Sequence, residues 1–214
     1  MIRVAKDNIN TPAYWDKVYS DEKETSRQRV DIHRLGQLVR WIKIRGGELE
    51  RKVTLLDYGC GNGEVDRLIR KMNLTVGVEY HGLDISEKAI AEAIADPHKG
   101  IGSLYGVIKK GESIPYSTER FDVVWCGETL EHVDTPLALF RDLVRVTGEG
   151  GLICLSVPYR GRNRSPEHVW EFAPADLAVM AREVGELEFL DCRLLKGWLS
   201  MFCVIRRNLW SDPS

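Results

Sequence analysis

A short apolar run that gives way to alternating glycines limits what this chain can become: Val53-Thr-Leu-Leu-Asp57, then Tyr58-Gly59-Cys60-Gly61-Asn62-Gly63. The run reads as a buried strand. The glycines permit a sharp strand-to-helix turn and a close backbone approach to a ligand. Two common ligand classes are excluded at once. A dinucleotide fingerprint needs a third glycine where Glu64 and Val65 stand, and no Gly-Lys-Ser/Thr follows to make a nucleotide-phosphate loop.

Around this turn, strand and helix signals alternate. Glu64 to Met72 reads as a helix, Thr75 to Asp84 as a strand, and Ser86 caps a helix that Asp96-Pro97 ends. Leu104–Ile108 is a weak strand and Phe121–Cys126 a strong one. Thr135 to Val146 follows as a helix, Gly148–Gly151 as a turn, and Leu152–Val157 as another strand. Pro174 to Val184 is a helix, and two late strands lie near Leu187–Leu195 and Ser200–Arg207. Continuous apolar strands separated by helices predict an α/β fold with a parallel sheet covered on both faces. Lys196-Gly197-Trp198 is too short to join parallel neighbours, so one strand is antiparallel. Upstream, a short helix follows Pro12. A longer one spans Arg27–Arg45 on Val30, Leu35, Leu38, Trp41 and Ile42, with Gly46-Gly47 as its stop.

Composition narrows the class further. The 214 residues suit one domain, and 43% hydrophobic with 29% charged residues is a globular balance. A net charge of −2 disfavours a strongly basic nucleic-acid binder. No apolar run reaches the roughly 18 residues of a membrane span, and the start lacks a secretory apolar segment. Cys60, Cys126, Cys154, Cys192 and Cys203 include no C-x-x-C pair and read as buried thiols of a reducing cytoplasm.

Asp84 stands twenty-one residues past Gly63, at the end of the second strand, where a carboxylate accepts hydrogen bonds from ribose hydroxyls. A glycine loop without a phosphate cradle, followed by a ribose-binding acid, suits a nucleoside that carries no pyrophosphate. From Leu55 to Val157 the chain resembles class I S-adenosylmethionine-dependent methyltransferases. The likeness rests on Leu-Leu-Asp57-Tyr-Gly59-Cys-Gly61-Asn-Gly63, Gly-Leu-Asp84-Ile85, and Phe121-Asp-Val-Val-Trp125-Cys126-Gly127-Glu128-Thr-Leu-Glu131-His132-Val. It implies a Rossmann-like three-layer sandwich with a mostly parallel seven-stranded sheet. Residues 1–50 would be a helical cover and 51–214 the catalytic core of a single domain. By resemblance, Gly59, Cys60 and Gly61 pass under the methionyl group and Asp57 orients it. Asp84 binds the ribose, and Ile85, Gly111 and Glu112 lie by the adenine. Cys126 and Gly127 approach the methionyl amino group through their main chain. Lys110 or Gly111 stands where many relatives carry an adenine-binding Asp.

Glu128-x-x-Glu131-His132 follows the fourth strand. On a helical turn these positions share a face, and two carboxylates with an imidazole suit Mg²⁺ or Mn²⁺. His168 is a further ligand candidate. The pattern is similar to the ubiquinone-pathway O-methyltransferases and the small-RNA 2′-O-methyltransferases. The quinone group's likeness extends to Arg34, which would meet the methionyl carboxylate, and to Tyr14-Trp15, which would close over the cofactor. The same Leu-Glu-His-Val run also suits a metal-free base or binding role for His132, or a structural one. A hydroxyl acceptor needs a base or a metal, whereas a neutral amine needs little help, so the pattern favours oxygen. Arg160, Arg162 and Arg164 suit a phosphate or carboxylate on a small acceptor, or a solvated loop. The absence of a long apolar insertion there argues against a membrane-bound quinone. Trp125 and Trp41 read as core, Trp15 and Trp170 as binding candidates. The expectation is a cytoplasmic O-methyltransferase of a small polar or anionic molecule. The rivals are methylation of a nitrogen, a protein or an RNA end, and a non-catalytic cofactor-binding regulator.

Overall fold

The computed structural model describes residues 1–21, 32–74, 77–161, 165–185, 187–195 and 200–208. Its centre is a seven-stranded sheet. The strands are β2 (Val53–Tyr58), β3 (Val78–Asp84), β4 (Leu104–Val107), β5 (Phe121–Gly127), β6 (Thr147–Pro158), β8 (Leu187–Leu194) and β9 (Ser200–Arg207). They lie in the order β4-β3-β2-β5-β6-β9-β8, and β9 alone runs against its neighbours.

Strand alternation sends successive side chains to opposite faces, and each face has its own helices. Leu55, Val123, Leu152 and Val204 pack with Leu38 and Ile42 of α2 (Ile32–Leu49) and Ile69 of α3 (Glu64–Lys71). Leu56, Val124, Ile153 and Ile205 pack with Phe140 and Leu143 of α5 (Pro136–Val146) and Leu177 of α6 (Pro174–Val184). The result is the expected three-layer sandwich. Helix α4 (Glu87–Ala95) is capped by Ser86, whose hydroxyl accepts from the Ala89 amide at 3.0 Å. Helix α1 (Pro12–Ser20) is capped by Thr11.

Four local expectations change. Helix α2 does not stop at Gly46-Gly47 but runs to Leu49, and Glu50 then turns it at φ 52°. Two glycines cost such a helix about 2 kcal/mol. The extra turn is held by Arg45 on Glu48 and on the Glu149 carbonyl, and by Arg206 on Glu48. The start expected at Arg27, with Val30, lies outside the described residues. Second, Gly148–Gly151 lies inside β6. Phe121 pairs with Thr147 but Val123 with Leu152, so the glycine run bulges from the ladder instead of ending it. Third, Cys192 and Cys203 do not stay as separate thiols. They face each other in the β8–β9 register and are joined as a disulfide, while Cys60, Cys126 and Cys154 are buried and free. Fourth, a two-stranded antiparallel ribbon, β1 (Ile2–Arg3) on β7 (Trp170–Glu171), has no counterpart in the expectation. Among the described residues no helix is long and apolar enough to cross a membrane.

Candidate functional site

The carboxyl ends of β3, β2 and β5 open into a cavity of ~940 Å³, where parallel α/β sheets place their ligands. The glycine loop forms its floor. Gly59 and Cys60 donate their amides to the Leu83 carbonyl at 2.7 and 3.0 Å, and Gly61 donates to Asp84 at 2.9 Å. Gly61 has φ 53°, and a Cβ there would lie 2.3 Å from the Tyr19 hydroxyl oxygen. At Gly59 (φ 79°) a Cβ would meet Thr129 Oγ1 at 2.2 Å. The left-handed φ strains a side chain at either position, and at Gly59 the whole Thr129 side chain also stands in its place. Asp84 also accepts the Ser86 amide at 2.9 Å, and burial raises its carboxyl pKa against the pull of these amides. Ile85, Gly111 and Glu112 line the cavity beyond Asp84, and Lys110 is tied to Asp134 at 3.1 Å. Gly127 lines it beside Trp125, whereas Cys126 turns its fully buried side chain into the core.

Asp57 is 1% exposed and accepts the Tyr80 hydroxyl at 2.5 Å. Burial pushes its carboxyl up to about 7. Near it, Arg34 of α2 pairs with Glu128 at 3.2 Å, and the Arg34 Nε is buried without a partner among the described residues.

Of the four expected metal ligands, three converge. Ligand atoms of Glu131, His132 and His168 lie within 4.8 Å of one another. Glu128 is not among them. The i, i+3, i+4 expectation needs helical backbone, but Glu128 has the left-handed φ of 50° and only Leu130–His132 form a 3₁₀ turn. Its carboxylate therefore points away, to Arg34, Ser156 and Ser200. Glu131 is fully buried, and neither carboxylate oxygen has a hydrogen-bond partner among the described residues. Burial, then the charge of Glu128, raise its pKa. His132 donates Nδ1–H to the Glu167 carbonyl at 3.0 Å, which leaves Nε2 with its lone pair, 3.8 Å from Glu131. Burial lowers His132 to about 4, so the ring is neutral at neutral pH. Trp15 meets it edge-on at 5.2 Å, and Tyr14 packs edge-on against Trp15. Both aromatics line the cavity.

Comparison with known proteins now bears on this geometry. The family model described as "Methyltransferase domain" matches residues 30–186. The chain belongs to that family. It is a class I S-adenosylmethionine-dependent methyltransferase. The "Ubiquinone biosynthesis O-methyltransferase" of Thiobacillus denitrificans is 29% identical over 174 residues, covering 72% of each chain. That of Pseudomonas aeruginosa is 32% identical over 166 residues, covering 77% of this chain and 64% of its own length. This methyltransferase therefore spans under two thirds of the Pseudomonas relative. Among solved structures, the plantazolicin methyltransferase BpumL, in complex with a pentazolic desmethylPZN analog and SAH, has the same fold: TM-score 0.67, 14% identity, 92% of this chain and 96% of that one.

The cavity of this methyltransferase also involves residues that the sequence reading passed over. Asn10 is 2% exposed and lines the cavity. Its amide nitrogen donates to the Glu167 carbonyl and to Asn8 Oδ1, each at 2.7 Å. Asn8 in turn donates to the His132 carbonyl at 2.9 Å. Asp16 ties α1 to Ser86 at 2.6 Å, and Tyr19 covers the glycine loop. Pairings this far apart in sequence leave no local signal. Two basic and aromatic candidates fall elsewhere. Arg160 pairs with Asp176, outside the cavity lining, and Arg162 and Arg164 lie outside the described residues. Trp170 donates its indole N–H to the Val133 carbonyl at 2.8 Å and does not line the cavity.

Proposed function

We propose that this methyltransferase transfers a methyl group to a hydroxyl oxygen of a small polar molecule, with a divalent ion such as Mg²⁺ or Mn²⁺ held by Glu131, His132 and His168. The observation that carries the reading is the Glu131 carboxylate, fully buried with both oxygens unpartnered among the described residues. A carboxylate left so costs several kcal/mol unless a cation or proton meets it. The neighbouring His132 has its tautomer fixed by a backbone carbonyl, the arrangement that prepares an imidazole as a ligand. The names of the ubiquinone-pathway relatives support oxygen as the acceptor atom.

S-adenosylmethionine supplies a methyl group on a positively charged sulfur, and the ion supplies the charge that favours a deprotonated hydroxyl. The chain's own residues do the rest. The glycine loop lines the cavity where the methionyl chain would pass, and the open Nε of Arg34 suits its carboxylate. Asp84 receives the ribose hydroxyls, with Ile85, Gly111 and Glu112 flanking the base. Tyr14 and Trp15 line the acceptor side, which stays open to solvent for the departing proton. The hydroxyl's proton leaves to solvent as the carbon–sulfur bond breaks and the carbon–oxygen bond forms. His132 alone is a poor base, because a group that titrates near 4 drives proton removal weakly at pH 7. That comparison favours the ion-assisted reading over the metal-free one.

The test is calorimetric titration of Mn²⁺ into protein loaded with S-adenosylhomocysteine, with methyl transfer assayed on catechols and vicinal diols. One ion per chain should bind, and His132→Ala and Glu131→Gln should abolish it. No binding, with turnover indifferent to chelator, overturns the ion. Turnover on amines alone overturns the oxygen acceptor.

A further inference from the structure

Glu128 is left over once the ion site is reduced to three ligands. Its surroundings give it a different task. The left-handed backbone at φ 50° turns its side chain toward β6 and β9. There Oε1 accepts the Ser156 hydroxyl and forms an ion pair with Arg34 Nη1 at 3.2 Å, and Oε2 accepts the Ser200 hydroxyl at 3.2 Å. A carboxylate has about four lone-pair sites. Two hydrogen bonds and one ion pair are in place, and Oε2 keeps a lone pair open among the described residues. Arg34 has the complementary deficit: Nη1 is ion-paired with Glu128, while Nε is buried without a partner among the described residues. Both residues line the cavity.

The sheet fixes how far this pair stands from the ribose-binding end. Asp84 ends β3, and Glu128 follows the end of β5, with β2 between them. At about 4.8 Å per strand, the two carboxylates lie roughly 10 Å apart across the sheet. A nucleoside whose ribose meets Asp84 and whose side chain crosses the glycine loop on β2 therefore ends at Arg34 and Glu128. The amino acid end of S-adenosylmethionine is a zwitterion. It carries the two charges that a fixed Arg–Glu pair complements.

We propose that Glu128 belongs to the methyl donor and not to the ion: it receives the α-ammonium group while Arg34 receives the α-carboxylate. The proposal deepens the reading above, since it assumes that S-adenosylmethionine lies across β2 as described. It also predicts that the first carboxylate of the Glu-x-x-Glu-His run, Glu128, contributes no ligand atom. Ser156 and Ser200 then act as positioning residues, because they hold the Glu128 carboxylate against Arg34.

The test compares two nucleosides that differ only at the end in question. S-adenosylhomocysteine carries the amino acid zwitterion, and 5′-methylthioadenosine lacks it. In Glu128→Gln, S-adenosylhomocysteine affinity should fall at least about tenfold, because a half-buried charge partner is lost. Affinity for 5′-methylthioadenosine should stay within about twofold, which also shows that the variant is folded. Glu128→Asp should restore part of the loss. Affinity for Mn²⁺ should shift by no more than about threefold, against complete loss in Glu131→Gln. Equal weakening of both nucleosides overturns the proposal in favour of a structural role. Loss of Mn²⁺ binding with both nucleosides unaffected overturns it in favour of a metal ligand. If the wild type itself binds no Mn²⁺, the ion reading falls. The ratio of the two nucleoside affinities still decides Glu128: an unchanged ratio overturns the proposal and a tenfold change upholds it.

Discussion

Asp57 shows what a single buried group exchanges for function. It accepts a hydrogen bond from Tyr80 at the floor of the cavity, and burial holds its carboxyl at about 7 against roughly 3.9 in an unfolded chain. The folded state thus keeps the proton more tightly. Its contribution to stability is complete below about pH 4 and is lost as pH rises through 7. Asp57→Asn keeps an acceptor for Tyr80 and removes the charge. In urea denaturation without ligand, this variant should outlast the wild type at pH 8, by at most about 4 kcal/mol, with the gap closing toward pH 4. It should also bind S-adenosylhomocysteine roughly tenfold more weakly, a trade of affinity for stability. Equal stability at pH 8 would mean that the carboxyl is hydrated and carries no such cost. At this scale the sequence was legible wherever chemistry depends on residue type alone, as with the glycines of the loop, whose left-handed φ strains any side chain. It was not legible at Glu128. Spacing rules presume a backbone conformation, and one residue at φ 50° redirects a carboxylate.

At the scale of elements, α1 is the weak one. It has nine residues, none of them buried. Isolated helices shorter than about 12 residues are marginal in water. Thr11 and Pro12 start it well, and Asp16 anchors it by accepting from the Ser86 hydroxyl and the Lys88 amide at 2.6 and 3.1 Å. Its Tyr19 rests on Gly61. A helix held by a few polar contacts over a ligand site belongs to the least stable part of a fold. By hydrogen exchange, its amides should open readily in the ligand-free protein and be protected once S-adenosylhomocysteine is bound. Asp16→Ala should remove much of that protection and speed ligand release about tenfold. Ligand-free α1 amides that exchange as slowly as those of β5 would show that α1 is part of the core instead. Helix α1 was readable because its signals are local. The last turn of α2 was not, because Glu149 and Arg206 supply its support from far along the chain.

The whole molecule explains how Glu131, His132 and His168 are brought together. The sheet was legible because near-continuous apolar strands demand cover on both faces, which leaves few alternatives to a doubly covered parallel sheet. The closure of the site was not, because two-residue strands carry no periodicity. Three distant stretches close it. The ribbon of β1 on β7 and the Val4 amide on the Val169 carbonyl fix residues 2–4 to the segment after His168. The Val169 amide then bonds the Glu131 carbonyl at 2.9 Å, and Asn8 bonds the His132 carbonyl. Asn10 completes the circuit, because its amide group and the His132 imidazole donate to the same Glu167 carbonyl. The ring orientation of His132 thus depends on a residue more than a hundred positions away. Partners of this kind typically change metal affinity by about 10–100-fold. Asn10→Ala should therefore weaken Mn²⁺ binding at least tenfold by calorimetry while S-adenosylhomocysteine affinity stays within about twofold, since Asn10 contacts neither the glycine loop nor Arg34 in the bonds described. Unchanged Mn²⁺ affinity would mean that the turn at Leu130–His132 and the segment carrying His168 hold their geometry without the N-terminal stretch.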